Sequence, residues 1–203
     1  DVRNNEWNWR DLYHLCIGFI TPRPIALVST ISPDGRHNLA PFSFYNMVCA
    51  NPPIVMISNG LHRDGSMKHT CRNIRETREF AIATVTPEIG PAMVRCAADL
   101  PYGESEFVFS GLTPVAGLHI RAPLVAESPV NLECTLRDAL TFGTGPGSAH
   151  VLFGDIVAIH IADHLLNASG TVDPHRLRTI GRLGGKWYVN TADPYEMTIP
   201  PPP

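Results

Sequence analysis

Lys68 and Thr70 stand two residues apart where Lys68-His69-Thr70-Cys71-Arg72-Asn73-Ile74 reads as the start of a helix. Arg63 precedes them in a loop, Asn59 to Ser66, that follows an apolar strand over Ile54 to Ser58. Cations and a hydroxyl at a helix N-terminus suit a phosphate, because the first turn carries unpaired N–H groups and a partial positive charge. The plainer reading is that Ser66 or Thr70 only caps the helix, as hydroxyls at helix starts often do. The sequence leaves both open.

A second constellation lies upstream, in TPRPIALVSTISPDGRHNLAPFSFY from Thr21 to Tyr45. Ile25 to Ile31 is a β-branched and aliphatic run, Pro33-Asp34-Gly35 is turn chemistry, and a short second strand is expected to end at Ala40-Pro41. Proline donates no ladder hydrogen bond, so the sheet is expected to loosen there, freeing the next amides and the Ser43 hydroxyl to face a ligand. Alone, this is a hairpin with an unusual exit.

The elements that must position these groups are mostly short strands. Phe80 to Val85, Val130 to Leu136 and His150 to Ile161 are separated by Pro and Gly, the pattern of a β-barrel. A helix is expected over Glu88 to Ala98, with Ile89, Met93 and Val94 as a core stripe. The GTGPG run at 143–147 lacks the following helix that a dinucleotide loop requires and reads as an interstrand loop. Gly184-Gly185 reads as a two-residue hairpin turn that puts Arg182 and Tyr188 on one edge of the barrel.

Bulk properties narrow the class. The 203 residues suffice for one core, and a net charge of −3 without a basic tract argues against nucleic acid as the main ligand. No apolar run reaches spanning length, and the start lacks the order of a signal peptide, although the absence of an initial Met points to a trimmed or partial start. The five cysteines are scattered and contain no C-x-x-C pair, so neither disulfides nor zinc is expected and a reducing cytoplasm fits. His160 and His164 have i, i+4 spacing, but on a strand that spacing separates the rings, and no metal site is expected. No Ser-His-Asp order with G-x-S-x-G context and no conspicuous carboxylate pair appears.

Five blocks together resemble the flavin reductase-like family of FMN-binding split β-barrels, which includes flavoredoxin-type proteins and reductase components of two-component monooxygenases. They are TPRPIALVST, N-L-A-P-F-S-F at 38–44, K-H-T-C-R-N-I at 68–74, Glu79-Phe80 opening a strand, and G-R-L-G-G-K-W-Y at 181–188. His69 departs from the family pattern, which has Asp between the Lys and the Thr. The resemblance implies a mainly β fold: an antiparallel, Greek-key-like split barrel with short peripheral helices, one domain over 1–203 with an extended tail from 195. It implies FMN, with Asn38, Leu39 and Ala40 against the ring and Arg23, Pro24, Ile25, Ala26 and Ser43 along the ribityl chain or edge. Ser58, Arg63, Lys68, Thr70 and Asn73 complete the cofactor site, and Arg182 and Tyr188 border the donor site.

By the same resemblance the hydride donor is NADH or NADPH, the assembly is a homodimer, and a partner monooxygenase takes the reduced flavin. The flavin carries the redox chemistry, so no catalytic side chain is assigned. Two alternatives stay open: an electron carrier without direct NAD(P)H turnover, and a split-barrel oxidase resembling pyridoxamine-phosphate oxidases.

Overall fold

The computed structural model describes residues 1–4, 6–62 and 64–200; Arg63 and the end of the proline tail, 201–203, lie outside the described residues. The chain runs α1 (Trp9–Phe19), β1 (Ala26–Ile31), β2 (His37–Phe42), β3 (Tyr45–Ala50), β4 (Pro53–Gly60), α2 (His69–Thr77) and β5 (Glu79–Thr84). It continues with α3 (Gly90–Arg95), α4 (Glu106–Ser110), β6 (Pro114–Val115), β7 (Leu124–Val125), β8 (Val130–Phe142), β9 (Ala149–Ile161), β10 (Ile180–Arg182) and β11 (Tyr188–Asn190).

Seven strands form one antiparallel sheet in the order β2-β1-β5-β8-β9-β4-β3. The edge strands β2 and β3 are consecutive in the chain, with only Ser43 and Phe44 between them. Two residues cannot cross the width of a flat sheet, so the sheet must curl until its edges meet. Yet among the described residues β2 and β3 share no ladder, which makes the barrel split. This is the mainly β, split-barrel architecture that the sequence implied.

Strand β1 is buried along its whole length because it has apolar cover on both faces. Ala26 and Val28 point into the barrel with Val55, Ile57, Phe80 and Ile82, while Leu27 packs outward with Leu39, Ile89, Met93 and Phe107 under α3 and α4. Helix α2 adds Cys71 and Ile74 to the inner cluster, and Arg78, in the left-handed region at φ 66°, ends it.

Several boundaries differ from the sequence reading, each for a physical reason. Strand β2 does not stop at Ala40-Pro41 but runs to Phe42, with Pro41 opposite Leu27. N–H groups alternate sides along a strand, and the Leu39 N–H points away from β1 to Glu106, so Pro41, two residues on, also faces outward and costs no ladder bond. Asn59 and Gly60 belong to β4 rather than to a loop, and β8 extends to Phe142 through its long hairpin with β9. Helix α3 is shorter than expected: Ile89 and Met93 are buried, but Val94 is exposed.

The glycine turn near the C-terminus also differs. Leu183 donates its N–H to the Trp187 carbonyl and Trp187 donates back to Gly184, so the loop holds three residues, Gly184 to Lys186, rather than two. Arg182 does pair with Tyr188, but β10 and β11 form their own two-stranded sheet, tied to the barrel through reciprocal backbone bonds between Arg23 and Arg182 of 3.0 and 2.8 Å.

Gly154 of β9 tests the barrel's internal packing. It pairs with Val55 and Leu136, and a methyl group there would overlap the Phe80 ring, which is fully buried. Gly154→Ala is expected to lower unfolding free energy by about 1 to 3 kcal/mol through overpacking. Denaturant titration of both proteins measures it; an unchanged midpoint would show that the Phe80 ring shifts freely.

Candidate functional site

A cleft of about 1090 Å³ opens beside the free edge of β2. Its walls are β2 at Asn38 to Phe42, the start of α2 at Lys68 to Thr70, the Leu61–Ser66 turn, and the segment from Cys96 to Glu106. The split of the barrel creates it, since a paired β2 edge would leave no space there.

Helix α2 begins at Lys68, whose φ −65° and ψ 151° are extended, and no side chain caps it. Arg72 makes the first helical bond, 3.1 Å to the Lys68 carbonyl, so the N–H groups of His69, Thr70 and Cys71 have no carbonyl within the helix. Both capping candidates are committed elsewhere. Ser66 donates its hydroxyl and its N–H to Asp64 Oδ1, at 2.6 and 2.9 Å. Thr70 Oγ1 accepts a 3.0 Å bond from Asn38 Nδ2. Thr70 is only 2% exposed, and among the described residues no acceptor takes its hydroxyl proton. The capping reading therefore fails, and a directed donor remains at the cleft wall.

The electrostatics point the same way. Burial holds the Lys68 ammonium below the usual lysine range, with Asp99 opposing. His69 is also held below the usual histidine range, first by burial and then by neighbouring His62. The His62 and His69 rings lie 5.8 Å apart, and His69 meets the Tyr102 ring edge-on at 4.9 Å. These groups are poorly hydrated cations or latent cations, so an anion in the cleft restores the stabilisation that burial removed. Three N–H groups, one hydroxyl proton and one ammonium form a donor set suited to a phosphate monoester.

The opposite wall carries a carboxyl. Glu106, 4% exposed, accepts the Leu39 N–H at 2.9 Å and is pushed above the usual carboxylate range by burial, despite that bond. Sequence reasoning missed Glu106, Tyr102, His62 and Asp99. None belongs to a recognisable motif; the return of residues 96–106 over β2 brings Asp99, Tyr102 and Glu106 to the cleft, and the turn before Lys68 brings His62.

The structure divides the expected site residues into two groups. Asn38, Ala40, Lys68 and Thr70 line the cleft. Leu39 contributes its backbone while its side chain lies in the core, and Asn73 stands behind the wall, bonded to Thr30 and to the Tyr102 hydroxyl at 3.1 and 3.4 Å. The other group surrounds Arg23. Its guanidinium, 6% exposed, donates to the carbonyls of Ile17, Ile20 and Leu183 at 2.9, 2.6 and 2.9 Å, and to Ser43 Oγ at 3.4 Å. Arg23 thus clamps α1, the β2–β3 junction and the β10–β11 hairpin together.

The Ser43 oxygen accepts a long bond from Arg23, and among the described residues no acceptor takes its hydroxyl proton. Pro24 is exposed, Ile25 and Ala26 lie in the core, and Ser58 donates its N–H to the Phe44 carbonyl at 2.8 Å. Arg182 stacks over Tyr188, 4.5 Å from the ring centroid, on the hairpin. Among the described residues no group of three His, Cys, Asp or Glu side chains is arranged to hold a metal.

Residues 19–180 match the model of the flavin reductase like domain. The chain belongs to the flavin reductase-like family. Similarity to solved structures agrees. The flavin reductase-like chain is 35% identical to nitrilotriacetate monooxygenase component B from Bacillus cereus, covering 95% of this chain and 96% of that one at a TM-score of 0.90. It is 30% identical to 2-nitrobenzoate 2-nitroreductase of Pseudomonas fluorescens, covering 97% and 94% at a TM-score of 0.86. Flavoredoxin of Desulfovibrio vulgaris shares the fold, with 22% identity, coverage of 87% and 90%, and a TM-score of 0.74.

Within this flavin reductase-like fold, His69 takes on a defined position. It is the first residue of α2, one past the cap residue Lys68, so its departure from the family's Asp removes no cap. The Arg23 clamp gives a prediction that separates structure from binding. Arg23→Met leaves three carbonyls without their donor and is expected to cost about 1 to 3 kcal/mol of stability. Thermal or denaturant unfolding of the free protein measures the loss; unchanged stability would remove the clamp.

Proposed function

We propose that residues 1–203 act as one flavin-binding domain that holds FMN with its phosphate at the start of α2, and that the protein is an NAD(P)H-dependent flavin reductase. The observation that carries the reading is the donor set of Lys68, the Thr70 hydroxyl and the unpaired first-turn N–H groups, converging on one cleft beside the β2 edge. Asn38 orients Thr70 by donating to its oxygen, which leaves the hydroxyl proton for the ligand. Ala40 keeps the β2 wall low, and the outward backbone of Leu39 and Pro41 is the face against which a flat ring lies.

A bound flavin supplies the hydride-accepting chemistry. The chain's part is then to bind, orient and exclude water, and no side chain has to move a proton. NADH or NADPH as donor accords with the family. Release of reduced flavin to a partner monooxygenase is favoured by the 35% identity to a monooxygenase component B. The 30% identity to a 2-nitrobenzoate 2-nitroreductase favours a second reading, in which electrons pass to a small organic acceptor in the same cleft.

A homodimer is part of the proposal. Phe44 at the junction, Met47 and Val48 on β3 and Phe142 at the end of β8 are all exposed, and β3 is an edge strand that association would cover. All five cysteines are free thiols, which suits a reducing cytoplasm. No helix of the described residues is long and apolar enough to cross a membrane.

Two measurements test the reading. Fluorescence titration is expected to show FMN binding more tightly than riboflavin, with Lys68→Ala and Thr70→Val each weakening FMN by about 1 to 3 kcal/mol and leaving riboflavin nearly unaffected. Equal affinities for the two flavins would refute the phosphate site. Under anaerobic rapid mixing, the FMN-loaded protein is expected to bleach with NADH or NADPH. Bleaching by dithionite alone would leave an electron carrier instead.

A further inference from the structure

The wall that carries Lys68 and Thr70 also carries two imidazoles that the binding reading above does not use. His69 is the first residue of α2, where the helix presents its unpaired N–H groups, and His62 faces it from the Leu61–Ser66 turn at a ring separation of 5.8 Å. Both line the cleft. The charged and titratable groups around them come from three elements. Lys68 and Arg72 flank His69 on its own chain segment, and Asp64 lies on the turn with His62. Asp99, whose Oδ1 is 3.6 Å from His62 Nδ1, and Tyr102, which meets His69 edge-on, belong to the segment after α3.

By itself this arrangement of protein groups opposes charge on His69. Burial, His62 and Arg72 all disfavour the imidazolium, and Asp99 only partly offsets them. A phosphate dianion entering between Lys68 and Thr70 reverses the balance, because a double negative charge beside the ring favours the protonated form. Imidazole changes charge near neutral pH, so the ligand and the proton must bind together there.

We propose that His69 is a specificity-determining residue that selects phosphorylated over unphosphorylated flavins by taking up a proton as the phosphate binds. The inference rests on the phosphate of FMN lying at the start of α2, as argued above. The sign follows from linkage. Burial and its neighbours disfavour the charged form of His69 in the free protein and an adjoining dianion favours it, so FMN affinity rises as pH falls from neutrality, until the phosphate itself takes up a proton at pH ~6. Riboflavin lacks the dianion, and its affinity stays flat.

Isothermal titration in two buffers of different ionisation enthalpy reads the proton directly, with no need of turnover. At about pH 7 the phosphate of FMN is mostly dianionic already, so net uptake reports the protein side, and a value approaching about one proton per FMN is expected. FMN affinity should strengthen by up to about tenfold per pH unit through the same range. His69→Asn should still bind FMN but lose most of the uptake and flatten the pH profile. The comparison of FMN with riboflavin on the unaltered protein stands even if that variant folds poorly.

FMN binding more tightly than riboflavin without proton uptake, or uptake that persists in His69→Asn, would overturn the selectivity role and leave the phosphate site intact. FMN and riboflavin binding equally would bring down both the phosphate site and this inference.

Discussion

The two-residue junction of Ser43 and Phe44 is the constraint on which the structure turns. It joins β2 and β3, which occupy opposite edges of a seven-stranded sheet, and so forces the sheet to close on itself. Closure gathers Phe80, Ile82, Val28, Val55 and Ile57 into one interior cluster, where burial of apolar surface provides the main stabilisation. The junction must itself be held, and Arg23 does this. Its buried guanidinium contacts Ser43, both carbonyls at the end of α1, and the β10–β11 hairpin. A cation with four acceptors is stable in a buried setting where an unpaired one would not be.

Because the closure is incomplete, the outer edge of β2 keeps backbone groups that no strand takes. The Leu39 N–H finds the Glu106 carboxylate, and Pro41 has no N–H to satisfy. An edge so treated resists pairing with another strand while leaving a shallow wall for a ligand. The cleft is thus a consequence of the same topology that makes the core. Its opposite side is the uncapped start of α2, where the protein gives up a stabilising cap and leaves donors unpaired. A helix start of this kind is less stable when empty than a capped one, and a bound anion restores the difference.

Away from the cleft, one buried carboxylate is met by a full set of donors. Glu133, fully buried in β8, accepts the N–H groups of Leu118, His119 and Ile120 and pairs with His160 at 2.6 Å. Burial raises its proton affinity, but these four donors outweigh it and hold the carboxyl below the usual range. His160, whose spacing to His164 invited a metal reading, is therefore a partner to a carboxylate that anchors a loop. The contrast with Lys68, which has burial but no ion-pair partner among the described residues, marks the cleft as the place where charge is held in reserve.

Local chemistry was legible in the chain itself. The β-branched run of β1, the Pro33-Asp34-Gly35 turn with Gly35 at φ 87° and the helix start at Lys68 all follow from residue type and spacing. So did Asn38, Ala40, Lys68 and Thr70 as one set, through the five ordered blocks. What the sequence could not decide is how distant segments use the same atoms. The Asn38–Thr70 bond settles that Thr70 is no cap, and the carbonyls around Arg23 settle that it is a clamp. Pro41 was misread because its cost depends on which side of the strand is an edge, a property of the sheet order and not of proline. Glu106 and Tyr102 stayed invisible because they meet the cleft only when residues 96–106 fold back over β2, bringing together groups that share no local pattern, and His62 because its place beside His69 is set by the turn before Lys68.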